Sequence, residues 1–430
     1  MLERQTIAAL EEALELLDCQ FARLPDVAQT GVASDFSGVL GEVASRLGDN
    51  FPYFHPLYAG QMLKPPHPVA RAAYALATWI NPNNHALDGG RASTAMEREA
   101  VAQIAAMFGW DRYLGHLTGG GTMANLEALW VAGQLQPGKK IVASVQSHYT
   151  HQRITRVLQG PFDKVPTDTR GRMDPDALER MLRAGDIGCV VATMGTTATG
   201  SVDPLPEILS LRSRYEFRLH IDAAYGGYFT LAGNLAPETG ASFDCIPLAD
   251  SIVIDPHKHG LQPYGCGCVV FRDSAVGSLY KHDSPATYFS SRELHLGEIS
   301  LECSRPGASA VALWATMRAL PRERSGEFAQ GLEACRRAAL ELHRRLAADP
   351  RFVVPFTPQL DIVVWAPKSG SAERIFEQAA LCNLHLALAR LPGSFFRLPE
   401  DEVLALRSVL MKPEHEQWID RIWEILTSVS

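Results

Sequence analysis

The sequence predicts an α/β fold: a mainly parallel sheet flanked by helices, with an N-terminal helical arm and a small C-terminal α+β domain. Three observations carry this. Between residues 141 and 271, short β-branched runs alternate with amphipathic stretches, the pattern of strands joined by crossover helices. Residues 1–50 show helical spacing and no strand signal. Beyond Arg305 the chain changes to long helices and then short strands. The division expected is an arm over 1–50, a large domain over 51–310 and a small domain over 311–430.

Taken in order, Ile7, Leu10, Leu14 and Leu17 recur at helical spacing and predict an amphipathic helix over 1–20. A polar stretch at 26–31 breaks it, and a second helix is expected near 38–47. Helices this far ahead of the first strand cannot bury both faces alone, so they read as an arm packed on another subunit. Residues 51–68 are rich in proline and aromatics and are expected to be irregular. A helix over 68–79 follows. Thr94-Ala95-Met96-Glu97 reads as a capping box that opens a helix bearing Val101, Ile104 and Met107. Strands are then expected at 141–145, 189–193, 219–222, 252–255 and 268–271, with helices over 175–183 and 205–215. The C-terminal part predicts helices over 308–320 and 328–346, strands over 362–365, 384–388 and 406–410, and a last helix over 414–427.

Composition narrows the function. At 430 residues and 46% hydrophobic, the chain is long enough for one large domain and a smaller one. A net charge of −8 without a basic run argues against nucleic acid or an anionic membrane as partner. The eight cysteines include no CxxC pair, which points to reduced thiols in a cytoplasm rather than a disulfide framework or zinc ribbon. The start Met1-Leu2-Glu3-Arg4-Gln5 lacks a secretory apolar core, and no long apolar run follows, so no membrane span is expected.

The chemistry concentrates in three stretches. In Ser251-Ile252-Val253-Ile254-Asp255-Pro256-His257-Lys258-His259, a β-branched run ends at a lysine between two histidines. Lysine is strongly hydrated and rarely sits at the mouth of a buried strand unless something holds it. An aldehyde cofactor would, by condensing with the amine. Taken alone, the stretch reads more simply as a strand running into a solvated loop. Upstream, Arg218-Leu219-His220-Ile221-Asp222 is another short strand ending in a carboxylate, placed to reach the crevice where parallel sheets bind ligands. Gly119-Gly120-Gly121-Thr122 precedes an apolar helical run, and a glycine loop opening a helix suits an anion. Phosphate loop, carboxylate and lysine together are the three grips of a pyridoxal phosphate site.

An ordered series of blocks then resembles a known family. His55-Pro56-Leu57-Tyr58-Ala59-Gly60, Asn81-Pro82-Asn83-Asn84, the glycine loop, Ser147-His148-Tyr149 and Gly195-Thr196-Thr197 come first. Asp222-Ala223-Ala224-Tyr225-Gly226-Gly227, Asp255-Pro256-His257-Lys258 and Ser304-Arg305-Pro306 complete it. The set resembles the group II pyridoxal-dependent amino-acid decarboxylases, of the aspartate-aminotransferase fold type, across roughly residues 50 to 320.

The resemblance implies a role for each position. Lys258 would form the Schiff base with pyridoxal 5'-phosphate, and Asp222 would pair with the pyridine nitrogen. Gly120, Gly121 and Thr122 would bind phosphate, with His257 close by and Asp255 at a position where relatives carry Asp or Asn. His148 would stack on one ring face, Ala224 pack under the other, and Thr197 lie near the ring hydroxyl. Gln61 falls among entrance residues, and Arg407 is a structural or substrate-positioning residue. Tyr288 would return the proton after CO₂ leaves. No metal is expected: the His148/His151 and His257/His259 pairs lack a carboxylate at ligand spacing. The implied reaction is decarboxylation of a small L-amino acid by a homodimer with shared active sites. Another enzyme on the same cofactor, an aminotransferase, a lyase or an oxidative aldehyde synthase, is the alternative, and the amino acid is not legible.

Overall fold

The computed structural model describes residues 3–25, 36–281 and 295–430. Its main sheet has seven strands: β1 (Leu114–Thr118), β2 (Lys140–Ser144), β3 (Phe162–Val165), β4 (Ile187–Thr193), β5 (Arg218–Asp222), β6 (Ser251–Ile254) and β7 (Gly267–Phe271). Their spatial order is β1-β7-β6-β5-β4-β2-β3. Strands β3, β2, β4, β5 and β6 run parallel, whereas β7 lies antiparallel to both β6 and β1. A parallel strand covered on both faces needs a continuous apolar run. Strand β4 has one, and every residue of it is buried.

Register decides where the strands end. Thr193 pairs with Asp222, and Asp222 with Val253, so the C-terminal ends of β4, β5 and β6 finish side by side. That is the edge at which open α/β sheets bind ligands. Helix α5 (Gly121–Leu135) leaves the end of β1 and buries Ala124, Ala128, Leu129, Val131 and Ala132. Helix α6 (Thr150–Val157) follows β2, α7 (Pro175–Leu182) follows β3, and α8 (Leu205–Arg212) follows β4. Helix α9 (Pro237–Asp244) lies between β5 and β6.

Ahead of the sheet come α1 (Arg4–Phe21), α2 (Ser37–Leu47), α3 (Pro68–Ile80) and α4 (Leu87–Met107). Neither α1 nor α2 buries a single residue, and Val39, Leu40, Val43 and Leu47 stand exposed on α2. Helix α1 rests on α3, with Glu3 paired to Arg71 at 2.7 Å. After the sheet, α10 (Gly307–Ala319) packs on α3 and α4. Helix α11 (Glu327–Ala348) then leads into a second, antiparallel sheet.

That sheet has the order β10-β11-β9-β8, from β8 (Phe352–Val353), β9 (Ile362–Pro367), β10 (Ala387–Pro392) and β11 (Glu402–Val409). Helices α12 (Ala372–Leu381), α13 (Gly393–Phe396) and α14 (His415–Val429) complete this part. Leu342, Trp365, Ile375, Leu406 and Ile422 fill a core of its own. The main core also reaches into it, since Ile362, Val364 and Ala405 cluster with Val190 and Ile221.

Two local expectations are corrected. The helix expected to open at a capping box on Thr94 begins at Leu87 and kinks at Gly90. Glu97 therefore lies inside it and is used elsewhere. Its carboxylate accepts from Asn84 Nδ2 at 2.6 Å, from the Leu117 N–H at 3.0 Å and from Arg305 Nη1 at 2.8 Å. The strand expected over 384–388 begins at Ala387 instead. The preceding residues are extended but pair with the irregular N-terminal segment: His385 N–H donates to the Leu57 carbonyl, and Ala59 N–H to that of His385. Strands β1 and β3 were not foreseen in the composition of the sequence, and they are the two edges of the sheet.

Candidate active site

A cavity of about 510 Å³ opens where β4, β5 and β6 end, lined by the glycine loop, His148, Thr193, Thr197, Asp222, Ala224, Asp255, His257 and Lys258. Each side chain arrives there for a local reason. Asp222 is the last residue of β5, and Ala224, two residues on, shares its cavity. Asp255 and Pro256 end β6, and the following turn carries Lys258 back so that its Nζ lies 3.1 Å from Asp255 Oδ2. His257 Nε2 approaches the same oxygen at 3.5 Å.

The glycine loop is shaped by close contact. Gly120 adopts φ +149°, a left-handed-region backbone that a side chain would strain. A Cβ on Gly267, at the start of β7, would lie 2.5 Å from the Gly120 carbonyl carbon, so two backbones touch there. Helix α5 starts immediately at Gly121, and its first N–H groups, those of Gly121 and Thr122 among them, have no carbonyl one turn back to bond. An anion is favoured at such an end. Glu302 also reaches this loop, accepting from the Gly119 N–H at 3.0 Å.

Electrostatics separate the groups. Burial alone would raise the pKa of Asp222, but the hydrogen bond from His151 and the nearby charge of Lys258 outweigh it. The carboxyl is held well below the usual carboxylate range. Its Oδ2 lies 2.8 Å from His151 Nε2, and its Oδ1 accepts from the Ala224 N–H at 3.1 Å. Burial pushes the His148 imidazole below its ordinary value, against the pull of Asp222. His148 Nδ1 lies 2.7 Å from the Thr150 hydroxyl. Burial likewise lowers His257.

The structure thus brings together Gly120, Gly121, Thr122, His148, Thr197, Asp222, Ala224, Asp255, His257 and Lys258 around one cavity. Gln61 and Arg407 are not among its lining residues. Gln61 is exposed, and the buried Arg407 donates through Nη1 to the Gly60 carbonyl at 3.1 Å. Tyr288 lies outside the described residues. Among site residues, His151 acquires a place beside Asp222 that its sequence position alone does not convey. It sits three residues after His148, just inside α6, and that spacing does not say which strand end lies beneath.

Comparison with known proteins gives this cavity its family. The profile described as the pyridoxal-dependent decarboxylase conserved domain matches residues 51–368. The chain belongs to that family. A probable L-tyrosine/L-aspartate decarboxylase of Methanopyrus kandleri is 27% identical, covering 86% of this chain and 95% of that protein. An L-tyrosine decarboxylase of Enterococcus faecium is 28% identical, covering 67% of this chain and 64% of that one. In solved structures, the fold matches mouse CSAD with a TM-score of 0.80 at 21% identity, over 97% of this chain and 91% of that one. It also matches Oryza sativa TDC with PLP and tryptamine, TM-score 0.79 at 19% identity, over 99% of both chains.

This pyridoxal-dependent decarboxylase is therefore an amino-acid carboxy-lyase with pyridoxal phosphate as its cofactor. The residues present fit that group. Buried Asp255 Oδ1, His257 Nδ1 and Thr193 Oγ1 have no hydrogen-bond partner among the described residues, and all three residues line the cavity. Buried polar atoms without partners are costly and rare, so they mark a place made for a polar ligand.

Proposed function

We propose that this decarboxylase binds its cofactor covalently through Lys258 and removes the α-carboxylate of a small L-amino acid as CO₂. The single observation that carries the reading is Lys258 Nζ held by a buried carboxylate at the mouth of the cavity that also contains Asp222 and the glycine loop. Bound pyridoxal phosphate supplies an aldehyde for amines to condense with and a protonated ring that accepts the electrons of a breaking bond. The chain supplies the rest. Gly120, Gly121 and Thr122 at the start of α5 hold the phosphate, with His257 beside them. Asp222, ionised, keeps a proton on the ring nitrogen. His148, its imidazole lowered by burial, and Ala224 would bound the ring from its two sides. Thr197, on the same cavity wall, would face the ring hydroxyl. Arg407, outside the cavity lining, holds the Gly60 carbonyl and serves a structural role.

The exposed apolar residues of α2 support a homodimer in which the arm over 1–50 packs on a second copy, ahead of a cofactor domain over 51–310 and a small domain over 311–430. Eight cysteines without a CxxC pair favour reduced thiols and a cytoplasmic setting. L-tyrosine and L-aspartate, named in the relatives, are the first substrates to offer, with diamino acids beside them.

Lys258→Ala tests the reading. The variant is expected to lose the cofactor adduct that borohydride traps and at least ~10³-fold in CO₂ release, since covalent activation is removed. Retention of a trapped adduct would place the lysine elsewhere.

A further inference from the structure

His151 is buried completely and sits in the first turn of α6, directly over the end of β5. One of its ring nitrogens, Nε2, is 2.8 Å from Asp222 Oδ2. The other, Nδ1, is buried and has no hydrogen-bond partner among the described residues. The two facts assign the proton. A hydrogen bond to an ionised carboxylate needs an N–H, so Nε2 carries it. A second proton on Nδ1 would bury an unpaired donor beside no acceptor, which costs more than leaving a bare ring nitrogen there. His151 is then a neutral ring with a fixed donor aimed at one carboxylate oxygen.

The other charged and titratable groups around Asp222 do not take over this task. Lys258, from the turn after β6, acts on Asp222 through its charge, and its Nζ is bonded to Asp255. His148, from the loop before α6, is bonded to Thr150. His220, two residues back on β5, is engaged on both sides, with Ser251 Oγ at 2.8 Å and Asn125 Oδ1 at 2.9 Å. Asp255 lies at the end of the neighbouring strand. Among the described residues, Asp222 has two side-chain hydrogen bonds, one of them from the Ala224 N–H on the opposite oxygen.

We propose that His151 is a positioning residue acting through Asp222: its Nε2–H keeps the carboxylate ionised and turned, so that the proton between Asp222 and the cofactor ring stays on the ring nitrogen. The inference rests on the Asp222 assignment above. A carboxylate that has lost a charge-assisted donor becomes a stronger base, and the shared proton moves toward it. The ring is then a poorer electron acceptor, though every group that touches the cofactor is still in place.

The experiment uses holoenzyme loaded with cofactor labelled with ¹⁵N in its ring, compared across wild type, His151→Leu, His151→Gln and Asp222→Asn. In wild type the ring-nitrogen resonance should report a protonated nitrogen. In His151→Leu it should move toward the unprotonated position, with kcat reduced about 10- to 100-fold, the reach of one hydrogen bond to a charge, and substrate KM little changed. Glutamine can place an amide N–H near the same point, so His151→Gln should restore the wild-type resonance and most of kcat. A His151→Leu enzyme whose ring nitrogen remains fully protonated overturns the proposal, whatever its activity. If Asp222→Asn also leaves the nitrogen protonated, the Asp222 assignment fails instead, and the two failures are thereby distinguished. Should His151→Leu not fold, histidine-labelled apoprotein decides the matter: an Nε2–H tautomer at His151 supports the proposal, and an Nδ1–H tautomer overturns it.

Discussion

Glu97→Gln should destabilise the protein far more than a change of one atom suggests. Glu97 and Arg305 are both buried, and their side chains meet at 2.8 Å. The same carboxylate accepts from Asn84 and from the Leu117 N–H, while Arg305 Nη1 also donates to the Leu117 carbonyl. Glutamine preserves the shape but leaves the guanidinium charge without its counter-ion, and Arg305 Nε and Nη2 already lack partners among the described residues. Breaking one side of a buried pair costs about 3–5 kcal/mol. Across a chain of 430 residues, with about 2.1 cal/mol/K of unfolding entropy per residue, that corresponds to a Tm lower by roughly 3–6 °C. Calorimetry of the apoprotein measures it. Because Leu117 stands just ahead of the glycine loop, cofactor affinity should fall as well, read by titration of the apoprotein. Replacing Arg305 as well, as Glu97→Gln with Arg305→Met, removes the stranded charge while the glutamine oxygen can still accept from Asn84 and Leu117, and should recover part of the loss. A loss below about 1 kcal/mol in Glu97→Gln, or a double variant no better than the single, would refute the reasoning.

Stability should also fall in mild acid. Burial lowers the imidazoles of His220 and His415 from 6.5 to about 3, so between these values the unfolded chain takes up protons that the folded chain refuses. Their contribution is intact above about pH 6.5 and shrinks as pH falls; by pH 5 the two together cost roughly 3 kcal/mol relative to pH 6.5. Urea titrations across that range should show the slope, and one that is flat, or unchanged in His415→Asn, contradicts it. For assembly, sedimentation at micromolar protein should show no stable monomer, and Val43→Glu on the exposed face of α2 should weaken the dimer. Full activity in a demonstrably monomeric sample would rule out shared sites.

How much of this was legible in the sequence depends on where each residue sits. The interior strands β4, β5 and β6 are covered on both faces, and that burial writes itself as β-branched runs in β4 and β6, with Asp222 closing β5 and Asp255 following β6. The three proposed grips on the cofactor were legible for the same reason: a strand end and a helix start are local features. The edge strands were not. Strand β3 carries Asp163 and Lys164, and Lys140 bridges to Asp163 from its neighbour, charges that suit an edge and erase the strand signal. Strand β1 contains Gly115 and the buried His116, whose ring is held by Glu127. Contacts between distant segments were out of reach altogether. Glu97 looks like a helix cap because Thr94 stands three residues before it, yet Arg305, remote in the chain, takes the carboxylate. His151 is one histidine in a polar helical turn until the sheet brings Asp222 beneath it. Local spacing determined the interior strands, the long helices and the proposed cofactor grips; which buried charge meets which partner was decided only when packing joined segments that the chain keeps apart.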